Sequence, residues 1–305
     1  MTKAQVKRSP FFFVGDKYKL IPQLSQFFPY DISTYIEPFV GGGSSLINVK
    51  AQSYIANDIN EYVVGLHKAL SEYTDDPQSL LDKLFGIIEH YGLSCSYQGK
   101  TVPDELKRKY VKTYYSHYNK AGYLDLRNDY NADRSDMLLL YILLIFGFNH
   151  MIRFNSAGSF NLPVGNVDFN KNVYNALIGY LGFMKEHKVA FRCLDYKEFL
   201  SEMTFDSRAF VYLDPPYLIS ASEYNKLWNE AKEAEMYEVL DELDKRGVRF
   251  GVSNLLRHKG QENSLLLEWS KKYKVFEVSS NYISFNDNTV KKNSAEVYVT
   301  NYEKD

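Results

Sequence analysis

The spacing of apolar positions changes period twice along the chain. Up to about Asn60 it is short and strand-like: Thr34-Tyr-Ile-Glu-Pro-Phe-Val40 leads into Gly41-Gly42-Gly43, and Ser53-Tyr-Ile-Ala56 leads into Asn57-Asp58. Between them, Ser44 to Val49 reads as the start of a helix. Strand, glycine turn, helix, strand and acid is how a nucleotide-binding α/β sheet opens. From about Glu61 to His187 the period is mostly helical with frequent charges, as in Ser79 to His90, Asp104 to Tyr118 and Ser135 to Phe148. Around Arg153 to Asn166 it gives way to a polar loop rich in Asn, Ser and Gly. The remainder alternates again, with strands expected at Val189 to Cys193, Ala209 to Leu213, Val248 to Val252, Lys274 to Val278 and Glu296 to Thr300. Helices are expected at Asn225 to Arg246 and Asn263 to Lys272, and the last two strands as an antiparallel hairpin at the sheet edge. The pattern is that of an α/β domain over residues 1–60 and 188–305, interrupted by a mostly helical insertion over 61–187 that includes the 152–166 loop.

Composition narrows the picture. With 45% hydrophobic and 24% charged residues in 305, the chain is globular, which excludes a disordered or collagen-like protein. A formal charge of −2 announces no nucleic-acid partner, but phosphate binding needs only a local basic surface. Two distant cysteines, Cys95 and Cys193, support neither a disulfide framework nor a Cys-ligated zinc site, and they fit a reducing compartment. The longest apolar run, Met137 to Phe148, falls short of the ~20 residues of a membrane span, and Pro10 to Val14 is too short for a signal-peptide core. A soluble, cytoplasmic protein is expected.

The chemistry begins at Glu37-Pro-Phe-Val-Gly-Gly-Gly43, where glycine at a strand exit lets backbone approach a ligand closely. It is not the dinucleotide fingerprint, because Leu46 stands where the third glycine belongs. A tight turn without a ligand is the bland alternative. Asp58 ends the next strand, where an acid can accept hydrogen bonds from both hydroxyls of a ribose, although a surface Asp after a strand is common. Asp214-Pro215-Pro216-Tyr217 is more telling, since it leaves the apolar run Ala209 to Leu213 at the strand end where open α/β sheets bind ligands. Its prolines fix φ and withhold N–H groups, so the carbonyls there can face a ligand.

Phe39-Val-Gly-Gly-Gly43 together with Asp214-Pro-Pro-Tyr217 resembles the S-adenosylmethionine-dependent DNA amino-methyltransferases, specifically the Dam-type adenine-N6 group. Phe13-Val-Gly-Asp-Lys17 is similar to that group's N-terminal motif, Asn57-Asp58 to its ribose-binding acid and Phe250-Gly-Val-Ser-Asn254 to a later core strand. Arg153-Phe-Asn155 with Phe160-Asn-Leu-Pro163 resembles its DNA-contacting loop, and the motifs keep family order across almost the whole chain. The resemblance implies a Rossmann-like methyltransferase fold with a mixed, mostly parallel sheet and a helical target-recognition insertion. It implies S-adenosylmethionine as methyl donor, no metal, and double-stranded DNA with a short adenine-bearing site as partner, with a cognate restriction endonuclease in a restriction-modification system.

It also implies roles that the chemistry supports. An exocyclic amine is a poor nucleophile because its lone pair is delocalised into the ring. Asp214 and the Pro215 carbonyl can accept its two N–H bonds and localise that lone pair, while the Tyr217 ring can stack on a flipped base. For the cofactor the positions are Phe13, Lys17, Phe39, Gly41, Gly43, Asp58, Asp195 and Asp214, with helix capping as the alternative role for Asp195. For DNA they are Arg153, Asn155 and Asn161, with Lys291 and Lys292 in the loop before the final strand. The run Lys107-Arg108-Lys109 with Lys112 reads either as a phosphate track or as a solvated helix face, and His150 as a structural hydrogen-bonder.

Phe12 and Asp16 stand where many Dam-type members carry Lys and Gly, closer to the branch found in type IIS restriction systems. Ala157 falls where a basic side chain helps to read the site in GATC-specific relatives, so a different short site fits as well. Methylation of another planar amine (cytosine N4, RNA adenine or a protein glutamine amide) uses the same geometry and stands as a rival. A DNA-binding specificity subunit without activity is another.

Overall fold

The computed structural model describes residues 6–220, 228–279 and 294–303. The chain divides into two compact units, one of residues 1–16, 41–47 and 60–188, the other of residues 17–40, 48–59 and 189–305.

The second unit carries the sheet. Its strands are β1 (Thr34–Glu37), β2 (Ser53–Asn57), β3 (Val189–Arg192), β4 (Phe210–Leu213), β5 (Arg249–His258), β6 (Gln261–Glu262), β7 (Lys274–Val278) and β8 (Ala295–Thr300). They lie in the order β3-β2-β1-β4-β5-β8-β7, with β6 folded back on the far end of β5. The strands from β3 to β5 are parallel, and β8 runs against both its neighbours, so the sheet is mixed and mostly parallel. The expected antiparallel pair β7 and β8 forms, with β8 inside the sheet and β7 at its edge. Strand order reverses between β1 and β4, which places a ligand crevice outside their carboxyl ends.

Among the described residues the α-helices of this unit are α1 (Ile21–Leu24), α8 (Tyr196–Ser201), α9 (Glu230–Lys245) and α10 (Ser264–Trp269). On one sheet face Ile36, Val211, Leu213, Val252, Val297 and Val299 pack against Phe199, Met236, Leu240 and Leu266 of α8, α9 and α10. Phe28 sits among the aromatic rings of Phe210 and Tyr212 from β4 and Tyr298 from β8. Gly251 is forced by that aromatic layer, because a Cβ there would lie 1.9 Å from the Tyr298 hydroxyl. The strand expected over Val248 to Val252 runs on to His258 as β5, and its polar residues Ser253 and Asn254 are satisfied inside. Ser253 pairs with the Tyr212 hydroxyl at 2.8 Å and Asn254 donates to Glu233 and Tyr237.

The first unit is helical: α2 (Glu61–Ser71), α3 (Pro77–His90), α4 (Asp104–Lys109), α5 (Tyr114–Ala132), α6 (Met137–Phe146) and α7 (Lys171–Glu186). Helix α6 is apolar on all sides, is buried from Leu140 to Phe146, and meets α2, α3 and α5. Two expectations fail here. The helix after the glycine turn is a single 3₁₀ turn, Leu46–Asn48. The helix over Asp104 to Tyr118 is broken between α4 and α5, because Asn166 accepts the N–H groups of Tyr115 and Ser116 and caps a fresh start from far along the chain. Among the described residues no helix is long and apolar enough to cross a membrane.

Candidate active site

In the sheet unit, a cluster forms beyond the carboxyl end of β4. The turn that begins at Asp214 leaves β4 through two prolines, which end the strand. Lys17, 5% exposed, places its ammonium 2.7 Å from Asp214 Oδ1 and 3.7 Å from Glu296 Oε1. The same ammonium lies 4.8 Å from the centre of the Tyr217 ring, a cation–π contact. The Tyr217 hydroxyl is 2.8 Å from Glu296 Oε1 and 3.1 Å from Asp214 Oδ1. Glu296 is buried, and a buried carboxylate is sustained only by partners such as these. Burial and then the charges of Asp214, Glu37 and Glu296 push the Tyr212 phenol well above its ordinary range. Among the described residues, the carboxylates of Asp214, Glu37 and Glu296 around the ammonium of Lys17 make this corner acidic, which suits a cationic ligand.

Asn57, fully buried at the end of β2, ties the neighbouring strand exits together. Its side-chain N–H groups donate to Pro38 O and Leu194 O, and its oxygen accepts from Leu194 N. Asp58 follows at the carboxyl end of β2, half-buried. Phe39, beyond β1, packs against Tyr196 and Trp228, and the indole of Trp228 is held by buried Glu233 at 3.0 Å. Asp195 caps α8 by accepting from Lys197 N, the alternative reading of that residue.

In the helical unit the glycine turn is fixed by two side chains. Gly41 and Gly43 have φ of +47° and +71°, a region costly for other residues. A Cβ at Gly41 would meet nothing within 4 Å, whereas one at Gly43 would lie 3.1 Å from the His67 ring. Ser9 Oγ donates to Gly42 O at 2.6 Å, and His67 Nε2 lies 2.9 Å from Gly41 O. A carbonyl can only accept, so Nε2 carries the proton, and Nδ1 then accepts from the Tyr180 hydroxyl at 2.8 Å. Burial pushes the His67 imidazole down to about 4, against the opposing pull of the Gly41 hydrogen bond. Phe13 belongs to the same surroundings, its ring 3.3 Å from where a Gly42 Cβ would stand.

The polar loop of the helical unit is a small hairpin. Arg153 donates through Nε to Asn161 Oδ1 and through Nη2 to Asn161 O, so the two residues expected to read DNA are bonded to each other at its base. Asn155 accepts from Ala157 N and Ser159 N and shapes the exposed tip. Phe154 stacks on Tyr62, and Arg134 donates to Gly158 O. Arg153 keeps further N–H groups beyond those two bonds. His150, with its imidazole held low by burial and facing Leu144 O, has the structural surroundings expected of it. Lys291 and Lys292 lie outside the described residues.

Glu296 and His67 were not singled out by the sequence. The signal for Glu296 was an acid on the same alternating face as Tyr298 in an otherwise apolar strand. For His67 it was a histidine among Val63, Val64, Leu66 and Leu70 on a buried helix.

The chain is 35% identical to the Type II methyltransferase M.FokI of Planomicrobium okeanokoites over 97% of its own length and 43% of that protein. It is 34% identical to the modification methylase StsI of Streptococcus sanguinis over 99% of itself and 44% of that protein. It thus spans less than half the length of these two relatives. A DNA adenine methylase of Escherichia coli K12 is 26% identical over 91% of this chain and 90% of its own. The family profile of the D12 class N6 adenine-specific DNA methyltransferases matches residues 13–283, and with the Asp214 to Tyr217 turn at the end of β4 and the glycine turn after β1, the chain belongs to that family.

Proposed function

We propose that this chain transfers the methyl group of S-adenosylmethionine to the N6 amine of an adenine in a short double-stranded DNA site. The observation that carries the reading is the buried contact set of Lys17, Asp214, Tyr217 and Glu296 at the strand-order reversal. S-adenosylmethionine, when bound, supplies an electrophilic methyl on a sulfonium cation, and the acidic corner around Asp214, Glu37 and Glu296 is chemically suited to a cation. Phe39, Asp58, Lys17 and Asp214 would hold it from the sheet unit, Asp195 with them. Phe13, Gly41 and Gly43 are the helical unit's candidates for the same role.

Asp214 and the Pro215 carbonyl would accept the two N–H bonds of the target amine, drawing its lone pair out of conjugation in the direction of attack. The Lys17 ammonium, 2.7 Å from Asp214 Oδ1, would help to fix the orientation of that carboxylate. Tyr217 would offer its ring to the extruded base, offsetting part of the few kcal/mol that unstacking costs. On the DNA, the remaining N–H groups of Arg153 and the exposed hairpin tip at Asn155, with Asn161 bracing the loop, would read or grip the site, joined by Lys291 and Lys292. The relatives named as a Type II methyltransferase and a modification methylase support a protective role beside a restriction endonuclease.

The test is single-molecule sequencing of genomic DNA from a methylation-free host expressing the chain. N6-methyladenine in one short context is expected. Folded protein that binds S-adenosylmethionine and leaves DNA unmodified refutes the reading and points to RNA or a protein amide.

A further inference from the structure

Glu296 belongs to no motif discussed so far, yet its position is specific. On β8 it shares a face with Tyr298 and Thr300, away from the core face of Val297 and Val299. The register places it opposite Leu255, three residues past Val252, which itself pairs with Leu213. Because β8 is antiparallel, its beginning reaches the edge of the sheet where β4 ends and Asp214 stands. An acid buried to 1% exposure beside an aromatic layer carries a large desolvation penalty, so its partners define its purpose.

Among the described residues its partners include the Tyr217 hydroxyl and the Lys17 ammonium. A phenol has one proton to donate. The Tyr217 oxygen is 2.8 Å from Glu296 and 3.1 Å from Asp214, so the shorter bond to Glu296 takes that proton. Asp214 Oδ1 is then relieved of the phenol and accepts from Lys17 at 2.7 Å. Without the Glu296 carboxylate, the phenol proton turns to Asp214, occupies acceptor capacity meant for the target amine, and lets the Tyr217 ring rotate away from its stacking plane. Lys17, without the Glu296 carboxylate, is drawn more fully onto Asp214.

We infer that Glu296 is a positioning residue for methyl transfer, which acts by taking the Tyr217 proton and sharing Lys17 so that Asp214 stays available to the acceptor amine. This rests on the function proposed above.

The experiment is a double-mutant cycle on the full chain, with unmodified plasmid DNA and methyl-tritiated S-adenosylmethionine, for wild type, Glu296→Gln, Tyr217→Phe and the pair. Glu296→Gln keeps the size and replaces the carboxylate by a neutral amide, a weaker acceptor for the Tyr217 proton and no counter-charge for Lys17. It should lower kcat about tenfold to a hundredfold with little change in KM for the donor. In the Tyr217→Phe background the same substitution should cost less than about threefold, because its main partner is gone. Glu296→Asp, with the charge retained, should recover part of the rate. Equal factors in both backgrounds, or a loss confined to KM for the donor, overturn the inference while leaving adenine methylation by the wild type intact. A wild-type chain that does not methylate the plasmid overturns the functional reading itself, and the positioning role with it.

Discussion

His67 makes the stability of the helical unit depend on pH in a calculable way. The neutral imidazole donates to Gly41 O and accepts from Tyr180, and the folded protein holds it at about 4 instead of 6.5, chiefly through burial. Lowering the pH protonates the unfolded chain first, so the unfolded state binds the proton that the folded state refuses. Stability from this group is therefore complete above the unfolded value and falls as pH drops through the window from 6.5 to about 4. Linkage for one such group gives a loss of about 2 kcal/mol at pH 5 and about 3 kcal/mol at pH 4, relative to neutral pH. Other groups titrate too, so the measurement is a difference. Urea unfolding of wild type and His67→Gln, which carries no titrating group there, should show the wild type more stable by about 1–3 kcal/mol at pH 7. That margin should shrink by about 2 kcal/mol at pH 5. The same margin at both pH values would show that His67 titrates normally and that the tautomer assigned from its two hydrogen bonds is wrong.

Three further outcomes follow from named contacts. Asp214→Ala should abolish methyl transfer while DNA retention on a gel stays close to wild type, since the lost carboxylate acts on the amine; substantial residual turnover would sink the proposed chemistry. Arg153→Ala should weaken binding to the modified site by about 1–3 kcal/mol in fluorescence titration if it reads a base, whereas a uniform loss on all sequences with a shallower salt slope would make it a phosphate contact. Gly251→Ala, whose Cβ would stand 1.9 Å from the Tyr298 hydroxyl, should cost about 3 kcal/mol or more in urea denaturation, and an unchanged midpoint would contradict the packing of β5 against β8.

The sheet was largely legible in the sequence because its strands are short apolar runs that end in turn residues, as Leu213 does before Asp214. What escaped was decided by partners distant in sequence. Asn166 restarts a helix at Tyr114, Tyr212 and Glu233 satisfy Ser253 and Asn254 so that β5 can continue, and no local period encodes either event. The residues proposed as acceptors stood out in the sequence because Asp-Pro-Pro-Tyr has few other uses at a strand end. Their support did not: a buried Glu or His becomes visible only when the group it neutralises is found in space. The loop residues Arg153 and Asn161 were found for their hydrogen-bonding capacity, and the structure adds that part of this capacity is spent on each other.

The strand order has a consequence for how the protein comes into being. β1 and β2 leave the ribosome before the helices of residues 60–188, while their sheet partners β4 and β3 follow them. Loop closure across that interval is easier once the intervening helices have condensed, so the helical unit is expected to fold before the sheet is completed. Lys17 waits through most of synthesis for Asp214, and Tyr217 waits a further 79 positions for Glu296. A nascent or partly unfolded molecule holds fragments of the proposed acceptor site that cannot meet until β8 has reached its place between β5 and β7.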